Sequence, residues 1–105
     1  MPAAKPGDIW QVDLGMAAKV RPCLILTPQP GNDELDVYTV VAHTTSIRGN
    51  HWEISISKSF LKDESAFDVQ RIATVASVKL ERKLGELTSA ELDGILDLLA
   101  ERLGI

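Results

Sequence analysis

The stretch KVRPCLILTP, residues 19–28, determines the centre of the predicted fold. Within it, the run CLILT at 23–27 is apolar up to its last residue, which indicates a strand that is buried on both faces. Pro22 precedes the run and has no N–H to donate, so we expect strand pairing to begin at that proline. Arg21 would then lie just outside the paired strand, as an always-charged side chain that is held rigidly yet open to solvent.

Further short strands are predicted on both sides of this one. Residues 8–14, DIWQVDL, alternate so that the tryptophan, valine and leucine share one face. In the strand predicted over 51–57, Trp52 alternates with two isoleucines and should face the core. The remaining strands are placed at 36–43, 65–75 and 83–87, with polar or turn-rich segments between them and a short helical turn over 77–82.

The chain ends in a predicted amphipathic helix. Thr88 is a favourable N-cap, and Glu91 three residues later completes a capping box. Leu98 lies off the apolar stripe of this helix and is a candidate contact for a partner. The stripe itself recurs at helical spacing and should pack on the core; it consists of Leu92, Ile95, Leu96, Leu99 and Leu103. Several short strands followed by one helix predict a mainly β fold, a small and strongly bent barrel that forms a single domain over residues 1–105.

Composition excludes several classes of protein. The 105 residues, 45% of them hydrophobic, suffice for one domain with a modest core. No apolar run approaches the roughly 18 residues that cross a membrane, and the first residues lack the apolar segment of a signal peptide. The single cysteine, Cys23, is predicted to be a buried packing residue, which suits a cytoplasmic protein. Residues 84–105 carry the whole net charge of −4, so the rest is neutral overall and can hold a local basic patch.

Most motifs of a chemical site are absent from the sequence. It has no glycine-rich phosphate loop, no CxxC pair and no HExxH, and His43 and His51 flank a loop without the further ligands of a metal site. No metal or cofactor is therefore predicted. Instead, polar side chains gather at the predicted ends of strands, which should meet at one rim of the barrel; they are Arg21, Thr44, Thr45, Ser46, Arg48, His51, Asp68 and Gln70.

Spacing alone leaves two interpretations of this polar rim open. The planar guanidinium of Arg21 could bind a phosphate through two hydrogen bonds, with hydroxyl groups adding further hydrogen bonds to the phosphate oxygens. Alternatively, Arg21 could form a surface ion pair with Asp13 or Asp68, and the hydroxyl groups could bond the local backbone.

Several motifs, taken in order, resemble the MazF/PemK family of bacterial toxins. The matching segments run from residue 7 into the C-terminal helix: GDIWQVDLG, RPCLIL, VVAHTTSIRG, EISI, SAFDVQRIATV and RKLGELTSAELDGIL. The resemblance implies an SH3-like barrel with a C-terminal helix, usually a homodimer. It also implies an endoribonuclease that cuts single-stranded RNA at short sequences without a metal ion, and a cognate antitoxin protein that holds it inactive.

The resemblance further implies roles for residues of the polar rim. Arg21 and Thr45 are the implied catalytic residues for attack by the 2′-hydroxyl of the RNA, which leaves a 2′,3′-cyclic phosphate and a 5′-hydroxyl. Arg21 would neutralise charge on the phosphorane and could join in proton transfer, and Thr45 would donate a hydrogen bond; such donors are typically worth ~3 kcal/mol each. Accessory roles are predicted for Ser46, Asp68 and Gln70, and RNA contacts for Lys19, Thr44, Arg48, His51 and Arg71.

The sequence departs from the family pattern in two places. The loop GMAAKV, residues 15–20, is shorter than in many members, which predicts an open groove or an altered sequence preference. Many members also have an Asp-Gln pair where this chain has Gln70 and Arg71, so the accessory acid is either Asp68, two residues early, or missing. These departures favour an alternative function, a catalytically weak barrel that binds RNA or protein. A third possibility is a toxin directed at gyrase.

Overall fold

The fold is a single antiparallel sheet of six strands, with one C-terminal helix packed against it. A computed structural model describes residues 3–15 and 19–105 of the chain. The six strands lie in the order β4-β5-β3-β2-β1-β6, with every pairing antiparallel. In chain order they are β1 (Asp8–Asp13), β2 (Val20–Ile25), β3 (Val37–Thr44), β4 (Glu53–Ile54), β5 (Ala66–Ala76) and β6 (Leu80–Glu86); a 3-10 turn spans Ser77–Lys79 and helix α1 spans Ser89–Leu103. The predicted mainly β fold with a C-terminal helix is confirmed.

Strand β2 is central, as its apolar run predicts, but its start is different. Cys23 pairs with Trp10 of β1 on one side and with Ala42 of β3 on the other, and its side chain is fully buried. The prediction that pairing begins at Pro22 is wrong, because β1 already pairs with Arg21 and with Val20 before it. Strand β3 pairs only from Cys23 onward, so β2 is an edge strand at the proline, where a missing N–H is tolerated. Arg21 therefore lies within the paired part of β2, opposite Val12 of β1.

The helix packs one face on the sheet, and that face is shifted from the predicted stripe. Ile95 and Leu99 are buried in the larger of two core clusters, and Leu92 packs beside them. Leu98 also packs against this cluster, so it lies on the buried face and not off it, and its contact with a partner stays a prediction; Leu96 and Leu103 are exposed instead. The buried face is centred on Ile95 and Leu99, which turns Leu98 inward and Leu96 outward, and Leu103 lies in the last turn. The predicted capping box is present, because Thr88 Oγ1 accepts from Glu91 N at 3.2 Å and Glu91 Oε1 accepts from Thr88 N at 2.8 Å.

The strand predicted over 51–57 is shorter in the structure, where β4 spans only Glu53–Ile54. The reason lies in the turn before it, where the Glu53 carboxylate accepts backbone hydrogen bonds from residues 48–50 at 2.7–3.2 Å. Those bonds fold the preceding segment into a turn instead of a strand. Trp52 is half-buried and packs against the core, with the guanidinium of Arg102 lying 5.3 Å from its ring centroid.

Within the described part of the chain, no helix is both long and apolar enough to cross a membrane.

Candidate active site

A cavity of about 370 Å³ opens where the start of β2, the end of β3 and strand β6 come together. Arg21 and Thr45, predicted as a pair from different strands, both line it. Its other polar lining residues include His43, and the apolar part of its wall includes Pro22 and Phe60. The structure therefore brings the two implied catalytic residues together on one concave surface.

Local structure explains how the two residues reach this surface. Arg21 lies in β2 opposite Val12 and is partly exposed. Thr45 is the first residue after β3 and is exposed. The chain bends at this point, where the Oγ1 of the buried Thr44 accepts a hydrogen bond from Ser46 N at 3.0 Å. Thr44 is only 1% exposed, so its hydroxyl supports the turn and is not offered to a ligand. Ser46 is exposed next to Thr45.

The cavity is strongly positive. Four cationic side chains line it, namely Lys19, Arg21, Lys62 and Arg82, and no carboxylate does among the residues that the structure describes. Lys62 and Arg82 were not predicted as site residues. Arg82 pairs with Gln11 of β1, and Gln11 pairs with Pro22 of β2, so a row across three strands carries Arg82 to the cavity. This row follows from the position of β6 beside β1, which sequence spacing does not reveal.

One wall of the cavity depends on a glycine. A Cβ on Gly85 would lie 2.5 Å from a ring carbon of Phe60, a separation that real Cβ atoms do not show. The absence of a side chain at Gly85 therefore lets the Phe60 ring lie close against β6, where it lines the cavity. Gly85 is the glycine of the RKLGEL segment, so part of the motif has a steric explanation.

His43 is a further cavity residue that sequence reasoning missed, because it was considered only as a metal ligand. It lies in β3 opposite Phe67 of β5, and the two rings meet edge to face with centroids 4.8 Å apart. The side chain is 3% exposed, and its Nε2 has no hydrogen-bond partner among the described residues. Burial lowers the pKa of the imidazole below its usual 6.5. An unpartnered buried polar atom typically costs about 1–3 kcal/mol, so this one needs an explanation.

The predicted accessory acid lies elsewhere. Asp68 is 3% exposed; its Oδ1 accepts from Gln70 N at 2.9 Å, and its Oδ2 is 3.3 Å from Arg71 Nε. Gln70 is exposed and accepts from the Asn50 amide at 3.3 Å. Asp68, Gln70 and Arg71 are all absent from the residues that line the cavity, in the part of the chain that is described. The two acids proposed as partners of Arg21 have other partners: Asp68 has Arg71, and Asp13 has Lys79 at 3.9 Å.

The remaining predicted RNA contacts divide between the cavity and the outer surface. Lys19 lines the cavity and has a positive φ of 58°, with its backbone hydrogen-bonded to Leu14 and Gly15. Arg48 is exposed on the loop between β3 and β4. His51 lies 2.9 Å from Glu101 of α1 and is also exposed. Among the described residues that line the cavity, neither Arg48 nor His51 is present. The short loop predicted over 15–20 includes residues 16–18, which lie outside the described residues.

Taken over residues 3–15 and 19–105, no group of three His, Cys, Asp or Glu side chains could hold a metal ion. The arrangement is that of an anion-binding cavity. A guanidinium can bind two phosphate oxygens at once, and a hydroxyl can donate to a third.

Known proteins share this fold. Residues 5–103 match the model of a family described as PemK-like, MazF-like toxin of type II toxin–antitoxin system. An endoribonuclease in complex with its cognate antitoxin, from a mycobacterial species, is 27% identical with a TM-score of 0.80, over 98% of this chain and 97% of that one. Another mycobacterial endoribonuclease is 26% identical with a TM-score of 0.77, over 100% and 95%. A MazE–MazF structure from Deinococcus radiodurans shares the fold at 15% identity, with a TM-score of 0.79 over 100% and 99%. No curated protein matches the chain.

Proposed function

This chain belongs to the family of PemK-like, MazF-like toxins of type II toxin–antitoxin systems, and on that premise we propose that it is a metal-independent endoribonuclease. Its substrate is single-stranded RNA, cut at a short sequence. The two similar mycobacterial structures are described as endoribonucleases, which supports this activity. The observation that carries the proposal is the presence of Arg21 and Thr45 on one cavity lined by four cations.

The chemistry suits attack by the RNA on its own backbone. The 2′-oxygen bonds to the adjacent phosphorus, and the bond from phosphorus to the 5′-oxygen breaks, which leaves a 2′,3′-cyclic phosphate and a 5′-hydroxyl. Arg21 binds the negatively charged phosphorane through paired N–H groups, and Thr45 donates a hydrogen bond to the same oxygens. Ser46, exposed beside Thr45, assists in the proposed reaction. A preorganised donor of this kind is worth about 3 kcal/mol, or roughly a hundredfold in rate.

The cations extend the binding surface beyond the scissile phosphate. Lys19, Lys62 and Arg82 take neighbouring phosphates, since each carries a charge into a cavity without carboxylates among its described lining residues. Arg48 and His51 are exposed on the adjoining loop and contact RNA that leaves the cavity. Three residues predicted from β5 stabilise the fold and do not contact the reacting atoms, because their hydrogen bonds and ion pair are to one another and to Asn50. They are Asp68, Gln70 and Arg71.

The proposal includes partners and setting. One of the similar structures is a complex with a cognate antitoxin, and on that basis a small antitoxin protein inhibits this chain too. The active form is a homodimer, as the family resemblance implies. The toxin acts in the cytoplasm, which suits its single, buried free thiol.

The test is cleavage of a long single-stranded RNA in the presence of EDTA by wild-type protein, Arg21→Gln and Thr45→Val. We expect wild-type cleavage without added metal and a loss of at least a hundredfold in each variant. Arg102→Gln is the matched control, because that arginine lies over Trp52, outside the cavity. Equal activity in Arg21→Gln and wild type would overturn the site, and activity that requires a metal ion would overturn the mechanism.

A second function is favoured by the position of Asp68, which binds Arg71 instead of facing the cavity. If the family reaction needs that acid, the chain is a binding module that holds RNA without cutting it. Tight binding that weakens steeply with salt, with no cleavage at any protein concentration, would select this function.

A further inference from the structure

Metal-free cleavage by a 2′-hydroxyl requires a group that accepts the hydroxyl proton. The cavity offers few candidates. Its two lysines and two arginines are cationic side chains that carry hydrogen-bond donors and no acceptor, so none of the four is suited to accept the proton. The hydroxyl of Thr45 is too weak a base to accept the proton. Asp68, the one predicted acid, is absent from the described residues that line the cavity. Among the described lining residues, only His43 can exist as a neutral base near pH 7.

The geometry of His43 is unusual for a core histidine. The ring packs against β5, where the edge of the Phe67 ring meets it with centroids 4.8 Å apart. Yet Nε2 is buried and has no partner among the described residues, and His43 is one of the residues that line the cavity with Arg21 and Thr45. A core histidine with a structural role would normally be hydrogen-bonded. A bound ribose would supply the missing partner.

We propose that His43 is a further catalytic residue, whose imidazole accepts the proton of the attacking 2′-hydroxyl. The inference rests on the proposed function. In the step, the 2′-oxygen bonds to phosphorus while its proton passes to the imidazole, and the bond from phosphorus to the 5′-oxygen breaks. The departing 5′-oxygen takes a proton from water, and the hydroxide so formed is neutralised by the proton that the imidazolium then releases.

The surroundings keep His43 in the form that this step needs. The charged groups that share its cavity are Lys19 and Arg21 from β2 and the turn before it, Lys62 from the loop before β5, and Arg82 from β6. All four are cations, and burial already lowers the pKa of the ring. His43 is therefore neutral at pH 7 and ready to accept a proton.

Access is through the cavity. Only 3% of His43 is exposed, so the ribose must displace part of the lining to reach the ring. Lys19, Lys62 and Arg82 are exposed, long side chains of that lining, and they can move without disturbing the sheet. Binding of RNA phosphates by these same cations would move their side chains as the substrate enters the cavity.

The experiment is single-turnover cleavage of RNA in EDTA across pH 4.5–8. We expect the wild-type rate to fall as the pH drops through the lowered pKa of His43, below about 6.5. His43→Gln should lower the rate by roughly 10²–10⁴ with little change in RNA affinity, and should lose this acidic limb. In His43→Ala, added imidazole should restore activity, which a merely structural role would not produce. Leu99→Ala is the control: it removes buried volume away from the cavity, so it should lower the melting temperature and keep the limb.

Two outcomes would overturn the inference while leaving the proposed function standing. One is His43→Gln cleaving at the wild-type rate with the acidic limb intact while Arg21→Gln is inactive. The other is His43→Ala that stays folded and inactive in imidazole. Should both variants unfold, nitrogen NMR of wild-type His43 with a 2′-deoxy oligonucleotide and with its RNA counterpart decides: a shift specific to RNA supports the contact, and no shift overturns it. A wild-type protein that cuts no RNA overturns the proposed function and this inference together.

Discussion

Neutralising the two cations that sequence reasoning missed should flatten the salt dependence of RNA binding. Lys62 and Arg82 are exposed, line the cavity, and take part in no ion pair within the described ranges, so their charges are available to phosphates. The change is the double variant Lys62→Gln, Arg82→Gln, which keeps side-chain length and removes both charges. Its effect on binding can be worked out from the number of cations in the cavity.

Each phosphate neutralised on a single strand contributes about −0.7 to the slope of log K against log salt concentration. If all four cavity cations bind phosphates, they contribute a slope of about −2.8, and raising the salt fourfold weakens binding about 50-fold. With two of the four removed, the slope is about −1.4 and the same change weakens binding only about 7-fold.

The assay is fluorescence anisotropy of a labelled single-stranded RNA whose 2′-hydroxyls are methylated, so that it binds without being cut. The matched control is Lys5→Gln, Arg102→Gln, which removes the same charge from outside the cavity. An unchanged slope in the Lys62, Arg82 variant would refute the placement of RNA in this cavity. An equal loss of slope in the control would refute it as well, because the effect would then come from overall charge.

Three further predictions concern packing, burial and helix capping in the fold that supports the site. Gly85→Ala places a Cβ 2.5 Å from Phe60, so it should destabilise the fold by about 1–3 kcal/mol and lower cleavage, whereas Gly94→Ala, whose Cβ meets nothing within 4 Å, should raise stability by up to about 1 kcal/mol; thermal unfolding distinguishes them. Burial raises the pKa of the Cys23 thiol to about 12, so a thiol reagent at pH 8 should not modify the native protein and should modify it rapidly in urea. Thr88→Ala removes the N-cap of α1 and should cost about 1 kcal/mol in urea unfolding, and an unchanged midpoint would contradict the cap.

Most strands could be predicted because their signals are local, although β4 is shorter than predicted and β6 begins at Leu80, within the predicted helical turn. The run at 23–26 is apolar throughout, and Cys23, Leu24 and Ile25 of β2 are fully buried. Arg21 and Thr45 could be predicted to lie at strand ends, and their shared cavity follows once β2 and β3 are neighbours. The start of β2 could not be predicted from Pro22, because β1 already pairs at Val20 whereas β3 begins to pair three residues later, at Cys23.

The residues that were missed depend on long-range topology. Arg82 reaches the cavity through Gln11 of β1, and nothing in the spacing of β6 from β1 along the chain indicates that they pair. His43 sits in a strand that is buried on both faces, so alternation gives no sign that its ring reaches a cavity. Asp68 shows the opposite error: it was predicted to lie at the polar rim, but its carboxylate accepts from Gln70 N and lies beside Arg71.

The most direct measurement is the chemistry of the cut ends. A single-stranded RNA incubated with wild-type protein in EDTA should yield fragments that end in a 2′,3′-cyclic phosphate and begin with a 5′-hydroxyl, as read by mass spectrometry. The same incubation with Arg21→Gln should leave the RNA intact, because Arg21 binds the phosphorane in the proposed reaction. Fragments that begin with a 5′-phosphate, or equal yields from wild type and Arg21→Gln, would contradict cleavage at this cavity by the 2′-hydroxyl.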